Sequence, residues 1–409
     1  MIKFIKNLYL LIFLSSCEDI GKNYLWNNNL VDIFNRKFGT EGYDYGWSLD
    51  ISEFDNGIIL TGSQQPIIGS QKDLWAIKTD NIGFSKWDKK FGGSRDEEGR
   101  DVISTSDGGF LFIGYTWSFG NEQQVYAIKT DHHGNLEWEK SYGGTMWEVG
   151  SSVVELNEGG YAITGFSNSP GISSGNTDVL LLKINSNGDI IWLKAYGNNE
   201  YPNHERGNDL VELNDGSMMI VGSRDRYTSG SKNIIILRID KFGNKIWEKE
   251  LLGNDLSSEI GYSITETLDG SFYICSSVNS EHSLEVYKPN ITKIDRNGNI
   301  DWNRTFDSRG KHYHQYRAIV SEENEIYIVG SSINEDSYKN KSNAFVLKID
   351  ENGQILSSLP IGTEDEDDWG WSIDINRNGN IVIVGSTKSN NASLFDIMLV
   401  GIKSKEFHN

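Results

Sequence analysis

Short runs rich in Val, Ile and aromatic residues follow one another along nearly the whole chain, separated by turns that contain glycine. In one representative stretch the runs are GRDVISTS (99–106), FLFIGYT (110–116), VYAIKTD (125–131) and LEWEKSYG (136–143). The turns DGG and HHGN join the first pair and the last pair. Runs of this length and composition, bounded by such turns, are typical of antiparallel strands joined as hairpins. The stretch is therefore predicted to form one four-stranded sheet.

The same four-run unit occurs seven times. Aligning the units on the Gly-x-[Ser/Asp] motif of the first run gives the unit starts Gly46, Gly99, Gly150, Gly207, Gly261, Gln315 and Gly370. A single four-stranded sheet cannot cover both of its faces, so repeated sheets of this kind stack around an axis. The sequence thus predicts an all-β fold, a single seven-bladed β-propeller with four strands in each blade.

The last unit stops after its third run, FDIMLVGIK. A matching fourth run is found near the other end of the chain, where VDIFNRKFG (31–39) fits the pattern of LEWEKSYG with Phe34 in the Trp position. We predict that this N-terminal strand completes the last blade and closes the ring. The propeller then spans residues 31–403, and residues 404–409 form a tail.

The link between the third and fourth strands repeats one turn. An Asp or Asn ends the third strand and a Gly follows three residues later, as in Asp131 and Gly134. The Asx side chain can bond its own backbone, and Gly supplies the positive φ that closes the turn. Four residues after the Gly, five units carry a Trp that we expect to pack between blades: Trp87, Trp138, Trp192, Trp247 and Trp302. The sixth unit has Ser357 there, a predicted weak point.

The first residues predict an export signal. Lys3 and Lys6 precede an apolar run that is too short to span a bilayer. The run ends in LSSC, which resembles the lipobox of bacterial lipoproteins, and that resemblance implies lipidation of Cys17. We expect residues 1–16 to be a lipoprotein signal peptide and residues 17–30 a lipidated tether on a bacterial cell envelope, at the outer membrane or the cell surface. The alternative is an ordinary secretory signal with an incidental cysteine.

The motif Asp-x-x-Gly-x-x-x-Trp resembles the tryptophan-docking motif of quinoprotein-type propellers, which has one more residue between Asp and Gly. It is also similar to the Asp box of sialidase-type propellers, which has one fewer. Taken over the whole mature chain, the repeats look like those of bacterial lipoproteins built from quinoprotein-like propeller repeats. This resemblance implies the fold but not quinone chemistry, because the vicinal disulfide and calcium site of quinone-dependent dehydrogenases are not visible in the sequence.

The formal net charge is −20, from 58 acidic and 38 basic residues. Phosphate contacts need clustered cations, so this charge argues against a polyanionic partner such as nucleic acid. Cys275 is the only cysteine besides Cys17, and no intramolecular disulfide framework is expected. Other units have Thr or Val at the position of Cys275, which predicts a small buried side chain. We expect a monomer.

Acidic residues recur two positions before the unit-starting glycine. We call this set the acidic ring: Asp44, Glu97, Glu148, Glu205, Glu259 and Asp368. The six residues flank the start of the innermost strands, so we expect them to ring the axis on the face of the loops between second and third strands. Two interpretations remain open. The carboxylates accept backbone N–H groups in every blade, or several of them converge to hold Ca²⁺. No other metal or cofactor is implied.

Departures from the repeat are candidates for a ligand site. Four adjacent units carry an aromatic residue directly after the unit start, which we call the aromatic arc: Trp47, Tyr262, Tyr316 and Trp371. The sixth unit also breaks the acidic ring with Tyr313 and has Arg317 where the others have Ser or Asp. Aromatic platforms beside polar groups suit sugar rings. These six residues are the predicted ligand-binding site; alternatively, the rings pack between blades.

Two functions remain open at this point. The first is a non-catalytic, envelope-anchored binding or scaffolding propeller whose axis face takes a glycan or another envelope protein. The alternative is a glycan-active hydrolase that uses two carboxylates of the acidic ring. We favour the first, because it needs only a binding face and an anchor. The sequence also lacks the motifs of metalloproteases, serine hydrolases and phosphate-binding loops. The hydrolase requires two ring carboxylates in a cleft, roughly 5–10 Å apart.

Overall fold

The structure, a computed structural model, describes residues 32–173, 176–197, 204–225, 231–251, 258–279, 287–306, 317–320, 325–333, 342–362, 366–388 and 394–404. These residues form seven separate four-stranded antiparallel sheets. The first strands of adjacent sheets contact one another, so the sheets are the blades of a ring. The predicted seven-bladed β-propeller is confirmed. The described part of the chain contains no helix that could cross a membrane.

Each blade runs from an innermost first strand to a fourth strand at the rim. Strand β1 (Asp32–Phe38) belongs to the last blade. Blade one contains β2 (Asp44–Ile51), β3 (Ile58–Gln64), β4 (Asp73–Thr79) and β5 (Ser85–Phe91). Blade two contains β6 (Glu97–Ser104), β7 (Phe110–Thr116), β8 (Gln124–Thr130) and β9 (Leu136–Tyr142). Blade three contains β10 (Glu148–Glu155), β11 (Tyr161–Ser167), β12 (Asp178–Ile184) and β13 (Ile190–Tyr196).

The remaining blades have the same order. Blade four contains β14 (Glu205–Glu212), β15 (Met218–Asp225), β16 (Lys232–Ile239) and β17 (Lys245–Leu251). Blade five contains β18 (Glu259–Glu266), β19 (Phe272–Asn279), β20 (Tyr287–Ile294) and β21 (Ile300–Thr305). Blade six contains β22 (Arg317–Val320), β23 (Ile326–Ile333), β24 (Ser342–Ile349) and β25 (Ile355–Ile361). Blade seven contains β26 (Asp367–Ile375), β27 (Asn380–Lys388) and β28 (Asp396–Lys403), with β1 as its fourth strand.

The hydrophobic core is divided among the contacts between blades. Seven clusters of buried apolar residues occur among the described residues, and each cluster combines residues of two adjacent blades. Between blades one and two, for example, Ile59 and Leu74 pack with Phe110 and Tyr126. Cys275 is fully buried in the cluster between blades five and six, and burial raises the pKa of its thiol to about 12.

Strand β1 closes the ring as predicted. It pairs antiparallel with β28, and Phe34 lies opposite Gly401. Phe34 is only 3% exposed. A Cβ added to Gly401 would lie 2.3 Å from the ring of Phe34, so the glycine leaves room for that ring. Phe34 also packs beside Gly83, in the turn of blade one, and therefore joins the first and last blades.

The turn between third and fourth strands has the predicted geometry. The Asp131 carboxylate accepts the N–H groups of His133 and Asn135 at 2.8 and 2.9 Å, and Gly134 has a φ of 75°. The tryptophan of the preceding blade docks on this turn, because Trp87 Nε1 donates to the carbonyl of His132 at 3.3 Å. Equivalent bonds join Trp138 to Ser186 and Trp302 to Glu351, both at 3.0 Å.

The structure also explains why the sixth unit has no tryptophan. Blade six would dock its tryptophan on the turn between the third and fourth strands of blade seven. In blade seven the fourth strand is β1, so no hairpin turn joins it to β28. Ser357 therefore lies where a tryptophan would have no turn to bond. The interpretation of Ser357 as a weak point was incomplete, because the missing side chain matches a missing partner.

Phe34→Ala is expected to lower the free energy of unfolding by about 3–5 kcal/mol, since it removes a buried aromatic side chain from the closing strand. Phe242→Ala is the matched control, because Phe242 lies in a turn of blade four and is 65% exposed. Denaturant unfolding measures both variants. Equal, small losses for the two would contradict the role of Phe34 in closure.

Candidate functional site

An open cavity of about 420 Å³ lies around the axis, on the face where the innermost strands begin. Residues of blades one to five line it: Trp47, Arg100, Tyr115, Gln123, Val149, Ser151, Phe166, Arg206, Asn208, Ser223, Lys232, Ile260 and Tyr262. In all five blades the residue directly after the unit-starting glycine belongs to this lining. The repeat therefore brings one variable position per blade to a common site.

A β-bulge turns that position into the cavity. In blade two, Gly99 pairs with Gly114 but Asp101 already pairs with Ile113, so Arg100 is the extra residue of the bulge. The same register shift occurs in the other described inner strands that contain the unit-starting glycine. Bulges of this kind redirect a side chain. The glycine is required beside the bulge, since a Cβ on Gly99 would lie 2.1 Å from Thr61 Oγ1 of blade one.

Two members of the aromatic arc, Trp47 and Tyr262, line the cavity. Trp371 lies beside Trp47, with 5.2 Å between ring centroids, and donates from Nε1 to Ser386 Oγ at 3.2 Å. The three rings are half-buried, so none of them is sealed between blades. Tyr313, Tyr316 and the side chain of Arg317 lie outside the described residues.

Other lining residues were missed by the sequence reading. Tyr115 and Phe166 follow the glycines of second strands and extend the aromatic wall into blades two and three. The sequence did contain a signal for these two residues. Among the described second strands, only these two carry an aromatic residue directly after the glycine, and the first strands of the same blades have no aromatic residue after the unit start. Arg206 precedes its unit-starting glycine, and Lys232 begins a third strand.

The charged side chains among the lining residues are all cationic. Arg100 lies with its guanidinium 4.7 Å from the centroid of a Trp47 ring and 2.8 Å from the Glu98 carboxylate. Glu98 is buried and also accepts from the Tyr115 hydroxyl at 3.2 Å. Burial and the nearby Glu98 carboxylate raise the pKa of Tyr115 far above its ordinary value, so this tyrosine stays neutral.

The acidic ring lies between blades rather than in the cavity lining. Glu97 accepts from Thr116 Oγ1 at 2.7 Å and from the N–H of Gly93, in the loop arriving from blade one, at 2.9 Å. Glu148 accepts from Ser167 Oγ at 2.7 Å and from Gly144 N–H at 2.9 Å. These carboxylates therefore fasten the loops that cross from blade to blade, which is the first of the two interpretations given above.

The other ring members lie in related surroundings. Asp44 accepts from Thr40 Oγ1 at 2.8 Å, and Glu205 from Arg224 Nε at 2.8 Å. Asp44, Glu205 and Asp368 are at most 1% exposed, whereas Glu259 is half-buried. Among the described residues, no group of three or more His, Cys, Asp or Glu side chains could hold a metal ion. Calcium binding remains a hypothesis.

Serine and aspartate side chains join the inner strands below the cavity. Asp101 accepts from Ser48 Oγ of blade one at 2.6 Å and from Val153 N–H of blade three at 3.1 Å. Asp209 accepts in the same way from Ser152 Oγ at 2.7 Å and Ile264 N–H at 3.0 Å. Each of these aspartates thus holds three consecutive blades in register around the cavity.

Two neighbouring carboxylates, those of Asp50 and Asp374, lie at the other end of the inner strands. Asp374 accepts Ile51 N–H of blade one at 3.1 Å, and Asp50 accepts Ser104 N–H of blade two at 2.6 Å. Burial raises the pKa of Asp50 well above its ordinary value, and the neighbouring Asp374 carboxylate raises it further. The pair is not part of the cavity lining. Its bonds to backbone N–H groups link blades seven, one and two, which indicates a structural role.

Several solved structures share this fold at low sequence identity. A polysaccharide lyase of family PL25, an ulvan lyase, has a TM-score of 0.58 at 8% identity, covering 90% of this chain and 96% of its own. Polysaccharide lyase Uly1 has a TM-score of 0.56 at 12% identity, covering 88% and 90%. A protein of unknown function from Dyadobacter fermentans has a TM-score of 0.52 at 10% identity, covering 92% and 100%. Identities this low show the fold alone.

No protein-family model matches the chain, and no curated protein matches it. The resemblance of its repeats to those of quinoprotein-like lipoproteins therefore stays a prediction.

Asp374→Asn is expected to raise the melting temperature at pH 7 by about 2–4 °C. A carboxyl whose pKa is raised by folding contributes stability at low pH, which is lost as the pH rises through the folded-state pKa. The amide removes the charge beside Asp50 and keeps an acceptor for Ile51 N–H, while Ile375 N–H loses the second carboxylate oxygen. Thermal unfolding from pH 4 to pH 8 measures the effect, which is expected to vanish at pH 4.

The control for this variant is Asp301→Asn, because Asp301 is an exposed aspartate on the outer strand β21. It is expected to leave the melting temperature unchanged at both pH values. A melting temperature of Asp374→Asn below that of the wild type at pH 7 would show that the charged pair stabilises the junction.

Proposed function

We propose that this protein is a non-catalytic binding propeller that takes a glycan in its axial cavity while a lipid on Cys17 holds it on a bacterial envelope. The cavity is the main observation that supports this proposal. Its volume falls within the range of about 300–1,000 Å³ that is usual for small-molecule sites. Rings of Trp47, Tyr115, Phe166 and Tyr262 stand beside polar side chains, a combination that suits the C–H faces and hydroxyls of sugars.

The placement of the carboxylates favours binding over hydrolysis. A glycoside hydrolase needs two carboxyl groups facing the scissile bond, one of them a proton donor. The ring carboxylates described above are mostly buried and accept bonds from loops and neighbouring strands. Within the part of the chain that the structure describes, none of the carboxylates is part of the cavity lining. Polysaccharide lyases occur among the similar folds, which supports a glycan as ligand class but assigns no reaction to this chain.

Lipid anchoring is tested by changing the lipidation site. Cys17→Ala is expected to move the protein from the membrane fraction to the soluble fraction, because an Ala at this position cannot carry the lipid. Cys275→Ala is the control, since this buried cysteine lies inside the propeller. Fractionation of the producing bacterium measures both. A wild-type protein found wholly in the soluble fraction would refute the anchor.

The glycan site is tested by removing its rings. Trp47→Ala and Tyr262→Ala are each expected to weaken glycan binding at least tenfold. Trp47→Ala is expected to change the melting temperature little, whereas Tyr262→Ala is expected to lower it modestly, because Tyr262 also packs against the core cluster between blades five and six. Binding to a glycan array identifies ligands, and calorimetry on the bound glycan measures the loss.

Trp147→Ala is the matched control. Trp147 is 47% exposed and lies just before an innermost strand, outside the cavity lining. It is expected to bind like the wild type. An equal loss for all three variants, or none for Trp47→Ala and Tyr262→Ala, would place the glycan elsewhere.

A further inference from the structure

We propose that the ligand of the axial cavity is an acidic sugar whose carboxylate or sulfate group is held by Arg206, with Arg100 adding positive charge on another side of the cavity. This inference rests on the proposed function, since it names the class of glycan that the same cavity takes.

The described charged side chains that line the cavity are positive. Acidic residues outnumber basic ones by 58 to 38 in the whole chain. Among the described residues that line the cavity the order is reversed, because Arg100, Arg206 and Lys232 are present and no Asp or Glu is. Acids of the ring that lie nearby are directed into the contacts between blades. A ligand in the cavity therefore meets cations at its surface.

Arg206 is available to bind an anion. This exposed side chain makes no ion pair with any residue that the structure describes. Its guanidinium lies 4.7 Å from the centroid of the Phe166 ring in the adjacent blade. Stacking on an aromatic ring fixes the plane of a guanidinium and leaves its N–H edges available. Arg206 thus offers a preoriented pair of donors beside an apolar surface.

Positive charge exceeds negative charge around Glu98. Arg100 contacts the Glu98 carboxylate at 2.8 Å, and Lys72 Nζ is 3.7 Å from it. Two cations therefore share one carboxylate. Arg100 Nε has no hydrogen-bond partner within the described part of the chain. Lys232 pairs with Asp225 at 3.4 Å, and both side chains are about one-third exposed, an arrangement that holds the cation weakly.

The arrangement of rings and cations specifies the ligand class. Trp47 and Arg100 stand together on one side of the cavity, and Phe166 and Arg206 on another. An acidic sugar presents a C–H face for the rings and a planar or tetrahedral anion for the guanidinium forks, which bind both carboxylates and sulfates through paired N–H donors. A neutral sugar would leave Arg206 without an anionic partner, whereas Arg100 already contacts Glu98.

The test uses the purified full-length chain on an array that pairs acidic glycans with matched neutral ones: galacturonate oligosaccharides with their methyl esters, and sulfated galactans with unsulfated galactans. We expect binding to the acidic member of a pair at least tenfold above the neutral member. Separate uronate and sulfate arms identify the anion. Binding is expected to weaken as the salt concentration rises from 50 to 300 mM, because screening weakens contacts between exposed charges.

Arg206→Gln is expected to remove the preference for the acidic member, and Arg206→Lys to retain part of it, since the charge remains but the fork is lost. Arg304→Gln is the matched control, because Arg304 is an exposed arginine on the outer strand β21. It is expected to behave like the wild type. Melting temperatures of all variants exclude unfolding as the cause of a loss.

Glycan binding and the preference for acidic sugars can be distinguished by their outcomes. If neutral and acidic members bind equally, and Arg206→Gln binds like the wild type while Trp47→Ala does not, the acidic-sugar inference is wrong and glycan binding stands. If the wild type binds no glycan on the array, both are overturned. Binding of the acidic members that survives Arg206→Gln unchanged would overturn the role of Arg206 in holding the anion.

Discussion

Burial of both faces of every blade against its neighbours is the condition on which this structure depends. A four-stranded sheet of this sequence has apolar side chains on two faces, and the seven buried clusters that the described residues form each draw on two adjacent blades. No blade therefore has a core of its own. Stability is shared around the ring, and the ring must close for any contact to be complete.

Closure explains the two places where the repeat changes at the rim. Phe34 replaces tryptophan in the strand that completes blade seven, and its ring fills the space above Gly401. Ser357 replaces tryptophan in blade six, where the following blade has no hairpin turn to receive it. Closure also constrains the axis, because Ser48, Asp101, Ser152 and Asp209 alternate from blade to blade, and strict alternation cannot be completed around seven positions.

The features predictable from sequence are those set by contacts that recur in every unit. The turn at Asp131 and Gly134 depends on residues only a few positions apart, and the strand at Phe34 fits a pattern seen in the other fourth strands. The residues that line the cavity could not be predicted in this way. Tyr115 and Phe166 join it from second strands, and only the three-dimensional arrangement of the blades brings Phe166 beside Arg206. The sequence left two interpretations of the acidic ring open, and only the structure shows that Glu97 bonds the loop arriving from blade one while Arg100 lines the cavity.

The net charge of −20 and a cationic cavity act on ligands at different distances. At physiological ionic strength a charge is screened over about 8 Å, so a group inside the cavity responds mainly to the side chains next to it. A long polyanion lying across the face would meet the acidic surface as well, which is why the overall charge argues against nucleic acid. A single carboxylate or sulfate held by Arg206 inside the cavity would not. The charge distribution therefore favours a ligand that enters the cavity with one end. For such a ligand, affinity would depend on the number of anionic groups that fit inside the cavity rather than on the total charge of the glycan.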